Sequence, residues 1–414
     1  MNIIKKTASV CPICSQTIKA IILKEKGIWM LKRCENHGVF KTLLETDEIF
    51  YQQVYNKNED NLGADFALLC VTHRCNLRCS FCAVPNRDIP DESLDWIKRK
   101  ISDLVQMGIN WIGLTGGEPT LREDLPEIIN FIRNTYPGVL ISLVTNGIRL
   151  SDATYLKTLI EAGIDFVSLS INDLDEITYQ KMNDNSKILA IKLRALENLK
   201  KEGIKTGLSI MLLRDVNPNA ISALMSWSLD NLDFIEEIRI RNATMVGRFE
   251  ESKEYMLSEM VDVVLSSIGK DRNFVFKNFG KEIYHSSSNF CFVIFLYKGK
   301  IIGKTFSEYY KSNLIANVRL LEVILRYIIK EKALIKFALR SLQIIFSDSR
   351  MGKERMYELL ELMNIRILRI KIWKWPREPN IDFNEIATTG GLYVTNEGEI
   401  ISLYRAISSS SLKS

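Results

Sequence analysis

Cys75-Asn76-Leu77-Arg78-Cys79-Ser80-Phe81-Cys82 follows the apolar run Phe66-Ala67-Leu68-Leu69-Cys70-Val71. An apolar run of that length giving way to polar residues reads as a buried strand ending in a loop. The loop spaces three cysteines as Cys-x3-Cys-x2-Cys. Three thiolates so close in sequence can hold three corners of a cubic iron–sulfur cluster. The fourth iron is then left without a protein ligand, and an open iron is a place to bind and activate a molecule. The stretch points to catalysis rather than to electron storage.

Downstream, strand and helix patterns alternate. Strands are expected at 66–72, 111–115, 139–145, 165–171, 204–211 and 235–241, with helices at 91–107, 124–135, 152–162, 187–202 and 217–230. Alternation of this kind means parallel strands with helical crossovers. Six units are fewer than the eight of a closed barrel, so residues 61–250 are expected to form a partial, open (β/α)6 TIM-like barrel. Working residues in such folds collect at the C-terminal ends of the strands, which is where the cysteine loop falls.

Other strand ends carry polar turns. Leu114-Thr115 leads into Gly116-Gly117-Glu118-Pro119 at the end of the second strand. Two glycines allow close approach to the backbone, and a Glu there can accept hydrogen bonds from an ammonium group. Thr145-Asn146-Gly147 ends the third strand with short polar groups suited to ribose hydroxyls. Ser168-Leu169-Ser170-Ile171-Asn172-Asp173 ends the fourth, with Ser170 and Asn172 on one face by period two. Each could be an ordinary turn, but their shared position on one rim argues for a site.

Residues 1–60 read as a small separate unit. Cys11-Pro12-Ile13-Cys14 precedes two strand-like runs at 18–23 and 28–32, and Cys34-Glu35-Asn36-His37 follows. Two ligand pairs at two turns suit a tetrahedral site formed by Cys11, Cys14, Cys34 and His37. Zn²⁺ is the usual occupant of such a set, and iron in a rubredoxin-like site is the alternative. Four protein ligands leave no open position, so the unit is structural, a zinc-ribbon-like staple.

Residues 251–414 mix helix-like segments (256–268, 316–345, 352–363) with strand-like runs (290–297, 366–373, 391–404), an α+β region that shapes the substrate site. Much of 301–345 reads as a basic amphipathic helix, a pattern that suits either a solvated helix face or peripheral contact with an anionic membrane surface. Cys70 and Cys291 lie in apolar strands and are expected to be buried. As a thiol, Cys291 could also deliver a hydrogen atom.

The 414 residues are 46% hydrophobic and 25% charged, with a formal net charge of +5. These are globular values, and the charge alone does not argue for nucleic acid. Six of eight cysteines sit in tight clusters, unlike a disulfide framework. The N-terminal residues do not resemble a secretory signal, and no run reaches the ~20 apolar residues of a membrane span. The expectation is a reduced, cytoplasmic protein.

The Cys75/Cys79/Cys82 triad, the 116–119 turn and the six-unit αβ region together resemble the radical S-adenosylmethionine (radical SAM) superfamily over roughly residues 64–245. The resemblance implies a [4Fe–4S] cluster on the three thiolates and SAM chelated to its open iron. It also implies that backbone and Glu118 near Gly116, Gly117 and Pro119 receive the SAM amino group. Phe81 would lie near the adenine, and Asn146 and Ser170 would contact the ribose and carboxylate. Reductive cleavage of SAM then yields a 5′-deoxyadenosyl radical that abstracts hydrogen from the substrate, with an electron donor such as flavodoxin or ferredoxin.

The N-terminal Cys/His unit, the segment 238–248 and, loosely, 365–404 look like the branch that includes tetraether lipid synthases. Relatives there carry further cysteines for auxiliary clusters, and this chain has only Cys291 after Cys82. A single-cluster reaction is therefore expected. The branch and the basic segment suggest an apolar or lipid-like substrate. The alternative is epimerisation or methyl transfer on a natural-product or peptide intermediate. A rival of another class is a non-catalytic iron–sulfur or zinc module that binds nucleic acid, which would have no need of the rim at Gly116, Asn146 and Ser170.

Overall fold

The computed structural model describes residues 2–55, 66–82, 89–182, 187–242, 254–274, 289–297, 300–302, 365–374, 391–394 and 398–402. The expected helices at 316–345 and 352–363, nearly all of the basic 301–345 segment, and the 243–248 end of the family-like segment lie outside those residues.

Two hairpins build the N-terminal unit. Strands β1 (Asn2–Val10), β2 (Thr17–Lys24), β3 (Ile28–Cys34) and β4 (Gly38–Glu45) form an antiparallel sheet in sequence order. The sequence suggested only the middle two. β1 is rich in Lys, Ser and Thr and buries only its last residues, so its apolar signal is weak. Because the strands run in order, the β1–β2 and β3–β4 turns share one end of the sheet. Ala20, Ile22, Ile28, Met30 and Tyr51 of helix α1 (Glu48–Tyr55) make its small core.

The opposite end of this sheet docks on the body of the protein. The Glu45 carboxylate accepts hydrogen bonds from the Ser258 N–H and hydroxyl at 3.2 and 2.6 Å. Lys374 Nζ donates to the Leu44 carbonyl at 2.6 Å, and Phe50 packs on Phe290 with ring centroids 6.0 Å apart.

The body is one mixed sheet. Its centre is β5 (Phe66–Thr72), β6 (Trp111–Gly116), β7 (Leu140–Thr145), β8 (Phe166–Ser170), β9 (Lys205–Leu212) and β10 (Ile235–Asn242), all parallel and in sequence order. Helices α2 (Leu94–Gln106), α3 (Leu125–Thr135), α4 (Ala153–Ala162), α5 (Glu176–Lys181), α6 (Ile188–Lys201) and α7 (Ala220–Leu229) provide the crossovers. Helix α8 (Leu257–Ser267) follows.

Later strands extend both edges. β13 (Ile365–Trp373) lies parallel to β10, and β14 (Gly391–Val394) lies parallel to β5. Beyond them β11 (Asn289–Tyr297), β12 (Lys300–Ile302) and β15 (Ile400–Ser402) pair antiparallel. Within the strand-like run 391–404, the described residues form two short antiparallel strands, β14 and β15. No pair joins the β12 and β15 edges among the described residues, so the barrel is open, as the strand count predicts.

One strand face carries the core. Ala67, Leu69, Val71, Ile112, Leu114, Ile141, Leu143, Val167, Leu169, Leu208, Ile210, Ile238, Ile240, Ile370 and Ile372 are buried in one cluster with the helices. The alternate residues line the inside. Their floor is aromatic: Trp111 meets Phe66 and Phe166 edge-on at 5.4 and 6.2 Å. Lys371 Nζ of β13 sits 5.8 Å from the Trp111 ring of β6. Five strand spacings separate those two strands, about 24 Å on a flat sheet, so the sheet curls strongly around its interior.

Candidate active site and metal centre

Cys11 and Cys14 occupy the β1–β2 turn, which is closed by Ser15 N–H to Cys11 carbonyl and Cys11 N–H to Gln16 carbonyl bonds, both 2.9 Å. Cys34 ends β3, and His37 lies in the turn before Gly38, whose φ of +82° favours glycine. The ligand atoms of Cys11, Cys14, Cys34 and His37 all lie within 4.8 Å of one another. His37 Nδ1 is 3.6 Å from Cys11 Sγ and 3.5 Å from Cys34 Sγ. Burial opposes ionisation of Cys11, but N–H groups of Cys14 and Ile13 and the neighbouring thiols outweigh it and bring its thiol to about 6. A preformed set of soft donors with a stabilised thiolate fits Zn²⁺.

The cysteine loop leaves the C-terminal end of β5 and is clamped to the glycine turn of β6. Gly117 N–H donates to the Thr72 carbonyl and Glu118 N–H to the Arg74 carbonyl, both at 2.8 Å. A Cβ on Gly116 would stand 2.1 Å from the Thr72 carbonyl oxygen, and one on Gly117 would stand 2.4 Å from that of Arg74. The glycines are required because the loop's own backbone crosses them. The sequence reading attributed them to ligand approach.

Glu118 is fully buried and anchors the next strand end. Its Oε1 accepts from Thr120 N–H, the Thr120 hydroxyl and the Thr145 hydroxyl at 3.1, 2.6 and 2.7 Å, and its Oε2 accepts from Asn146 N–H at 2.7 Å. Pro119 opens the 3₁₀ turn that this carboxylate caps. Asn146 Nδ2 then donates to Asn76 Oδ1, inside the cysteine loop, at 2.7 Å. Cysteine loop, glycine turn and β7 end are therefore one hydrogen-bonded rim.

Ser170 joins the rim through a residue that the sequence reading did not single out. Lys192 of α6 is buried, and its Nζ donates to the carbonyls of Asn146 and Ser170, both at 2.7 Å. Its signal was available: it interrupts the apolar stripe of Ile188, Leu189, Ala195, Leu196 and Leu199 at helical spacing. Asn172, in contrast, holds backbone. Its Oδ1 accepts from Met211 N–H at 2.9 Å, and its carbonyl accepts from Asn217 Nδ2 at 2.7 Å.

Cys75, Cys79 and Cys82 are half-buried. Among the described residues, the only ligand set within 4.8 Å is the N-terminal quartet. Three thiolates on one short loop can serve as three corners of a cluster. Leu77, Tyr179, Ile188 and Leu189 pack around Cys75 and Cys79, an apolar backing that limits water near such a cluster. Phe81 packs with Met182, Leu213, Met211 and Val216.

Cys70 and Cys291 are both buried. Cys70 points inward with His73 Nε2 at 3.6 Å and the Tyr393 hydroxyl as a partner. Burial pushes its thiol up to about 11.

Residues 69–227 match the family model described as Radical SAM superfamily, and residues 3–46 match the HMPTM N-terminal zinc ribbon domain. The chain is 33% identical over 279 residues to the 7,8-dihydro-6-hydroxymethylpterin dimethyltransferase of Methanocaldococcus jannaschii, covering 60% of this chain and 54% of that protein. It is 34% identical over 185 residues to the GTP 3′,8-cyclase of Tolumonas auensis, covering 43% and 54%. The chain thus spans about half the length of each of these curated relatives. Among solved structures, Streptococcus suis SuiB bound to S-adenosylmethionine aligns with a TM-score of 0.44 at 16% identity, covering 52% of this chain and 48% of SuiB. Among the described residues, no helix is long and apolar enough to cross a membrane.

Proposed function

We infer that this chain, whose residues 69–227 match the Radical SAM superfamily model and 3–46 the HMPTM N-terminal zinc ribbon model, is a radical SAM enzyme that transfers methyl groups to a small polar substrate. The rim carries this reading: the cysteine loop, the 116–119 turn and Asn146 are tied to one another by direct hydrogen bonds.

The cofactors of such a domain are a [4Fe–4S] cluster and SAM. Cys75, Cys79 and Cys82 would hold the cluster, which when bound supplies the electron for reductive cleavage of SAM. The 116–119 backbone, Phe81, Asn146 and Ser170 would seat SAM. Glu118 serves them mainly by orienting Asn146 and the turn. Leu77, Tyr179, Ile188 and Leu189 exclude water behind the loop. Cys11, Cys14, Cys34 and His37 would hold zinc. A flavodoxin- or ferredoxin-like donor and a cytoplasmic setting complete the reading.

The Methanocaldococcus jannaschii dimethyltransferase supports methyl transfer. The polar inner wall of the barrel favours a polar substrate over a lipid-like one: Ser168, Ser170, Ser209, Arg239 and Lys371 all face inward. The test is anaerobic reconstitution followed by SAM and dithionite. 5′-Deoxyadenosine and methionine are expected from the SAM that starts the radical reaction and, with substrate present, S-adenosylhomocysteine from a second SAM that gives up its methyl group; none of these is expected from Cys79→Ala. A wild-type preparation with full cluster content and no SAM turnover overturns the reading.

A further inference from the structure

The cysteine loop is gripped a second time, at its base. Asp91 lies beyond the loop, two residues ahead of the Ser93 cap of α2. Its Oδ2 accepts from Arg74 Nε and Nη2 at 3.1 and 2.6 Å, and its Oδ1 accepts from the Thr72 hydroxyl. Thr72 is buried, and its hydroxyl accepts in turn from Arg74 N–H at 3.2 Å. Arg74 immediately precedes Cys75. The contact therefore joins the two ends of the stretch 75–90, which carries all three loop cysteines.

Arg122 backs this contact. It follows the 116–119 turn, is buried, and donates from Nη1 to the Val71 and Glu92 carbonyls at 2.8 and 2.9 Å. Its Nε and Nη2 donate to the Asp124 carboxylate at 2.6 and 2.9 Å. The end of β5, the turn after β6 and residues 91–92 thus meet at one guanidinium. Burial opposes ionisation of Asp91, but Thr72, Arg74 and Arg122 outweigh it and hold its carboxyl below the usual range.

An exposed ion pair by itself contributes little, and the Arg74 side chain is 51% exposed. Asp91 differs because its side chain is only 21% exposed and its one carboxylate holds both a buried hydroxyl and a guanidinium. A loop closed at its base has less freedom to lose when its ligands are engaged. The glycine turn grips the same backbone at Thr72 and Arg74 but brings no charge to it. Asp91 does, and it sets that charge against the cation beside Cys75. Net charge around an iron–sulfur cluster is one of the quantities that set its potential.

We propose that Asp91 is a positioning residue for the cluster: through Thr72 and Arg74 it latches the base of the cysteine loop, and it offsets the Arg74 charge beside Cys75. The latch rests on the reading that Cys75, Cys79 and Cys82 hold a [4Fe–4S] cluster.

The test uses the full chain, reconstituted anaerobically. Iron loss to a strong chelator is timed, and the midpoint potential of the cluster is measured by redox titration. Asp91→Asn and Arg74→Gln should each lose iron roughly tenfold faster than the wild type, the scale of a lost charge-assisted hydrogen bond. The double variant should lose it no faster than Asp91→Asn, because both changes break the same pair. The potentials should move in opposite directions. Asp91→Asn leaves the Arg74 cation unbalanced and favours the added electron, so its potential rises; Arg74→Gln lowers it. A merely structural role would move both alike or neither. Lys98→Gln, in a surface pair with Glu127, should match the wild type in both measurements. Should Asp91→Asn fail to fold, Thr72→Val decides: it should speed iron loss and leave the potential in place. Wild-type iron retention in Asp91→Asn or in Thr72→Val, or potentials that shift in the same direction, overturns the latch. A wild type that takes up no cluster overturns the enzymatic reading instead. Amide exchange of the cluster-free chain then reads the latch: Asp91→Asn should raise exchange across 75–82, and unchanged exchange overturns it.

Discussion

Gly117 donates its backbone N–H to the Thr72 carbonyl at 2.8 Å, and nothing larger than a hydrogen fits on its Cα. A Cβ there would lie 2.4 and 2.5 Å from the carbonyl oxygens of Arg74 and His73. These are backbone atoms one and two residues ahead of Cys75, so the loop itself must move. Gly117→Ala is expected to cost ~1–3 kcal/mol or more and to cut iron incorporation severely. Gly138→Ala, where an added Cβ meets nothing within 4 Å, should incorporate iron like the wild type. Iron and sulfide analysis after anaerobic reconstitution reads both, and full iron content in Gly117→Ala would refute the clamp.

The same clamp explains which parts of the site were legible in the sequence. Cys75, Cys79 and Cys82 are neighbours in sequence, so their spacing reports the site directly. The central parallel strands were equally legible, because Leu69, Ile112, Ile141, Leu169 and Ile210 alternate with inward residues under helical crossovers. The donors to Glu118 were less so: Thr145 and Asn146 lie 27 and 28 residues away, and only the parallel register brings them to its carboxylate. β13 and β14 reach the barrel edges from far along the chain, where local pattern says nothing about partners. β1 stayed hidden because Lys5, Lys6, Thr7 and Ser9 break up its apolar pattern.

Glu118→Gln tests the carboxylate as an anchor. Four donors converge on its two oxygens, and an amide would turn an NH₂ toward one or more of them. The expected loss is ~1.5–3 kcal/mol, the scale of hydrogen bonds to a charged group, seen as a lowered unfolding temperature. An unchanged melt would mean that the network contributes nothing to stability.

Lys192→Met removes the donor shared by Asn146 and Ser170 while keeping an apolar stem in the α6 stripe. Two partly buried carbonyls lose a charged partner, at up to ~1–3 kcal/mol each. As a positioning residue it should raise the KM for SAM more than it lowers kcat. Lys192→Arg should recover part of the affinity. A kcat loss with unchanged KM would argue against positioning.

Removing zinc should melt the ribbon and spare the barrel. The ribbon core is five buried residues, too few to hold the unit alone. Its docking contacts at Leu44 and Glu45 lie at the far end of β4, roughly 23 Å from the ligands. Hydrogen exchange with a strong chelator should therefore rise across 2–43 and stay constant in β6 to β9. Metal analysis should give one zinc per chain, lost in Cys34→Ser. Unchanged exchange after complete metal removal would show that the ribbon needs no staple.

Cys70 separates an inert thiol from the reactive ones beside it. Burial pushes its pKa up to about 11, with hydrogen bonds from the Tyr393 hydroxyl and the Thr72 backbone N–H only partly offsetting that. A raised pKa keeps the thiol protonated until the pH approaches that value. Alkylation follows the thiolate fraction, so at pH 8 Cys70 should react at least roughly 100-fold more slowly than an ordinary thiol with a pKa near 8.5. In cluster-free protein, iodoacetamide at pH 8 should label Cys75, Cys79 and Cys82 and leave Cys70 intact by peptide mass spectrometry. Raising the pH toward 10 should bring Cys70 into reaction before the fold is lost. Labelling of Cys70 at pH 8 at the rate of Cys79 would show that the strand's inner face is open to solvent, and that the apolar backing of the loop does not extend to it.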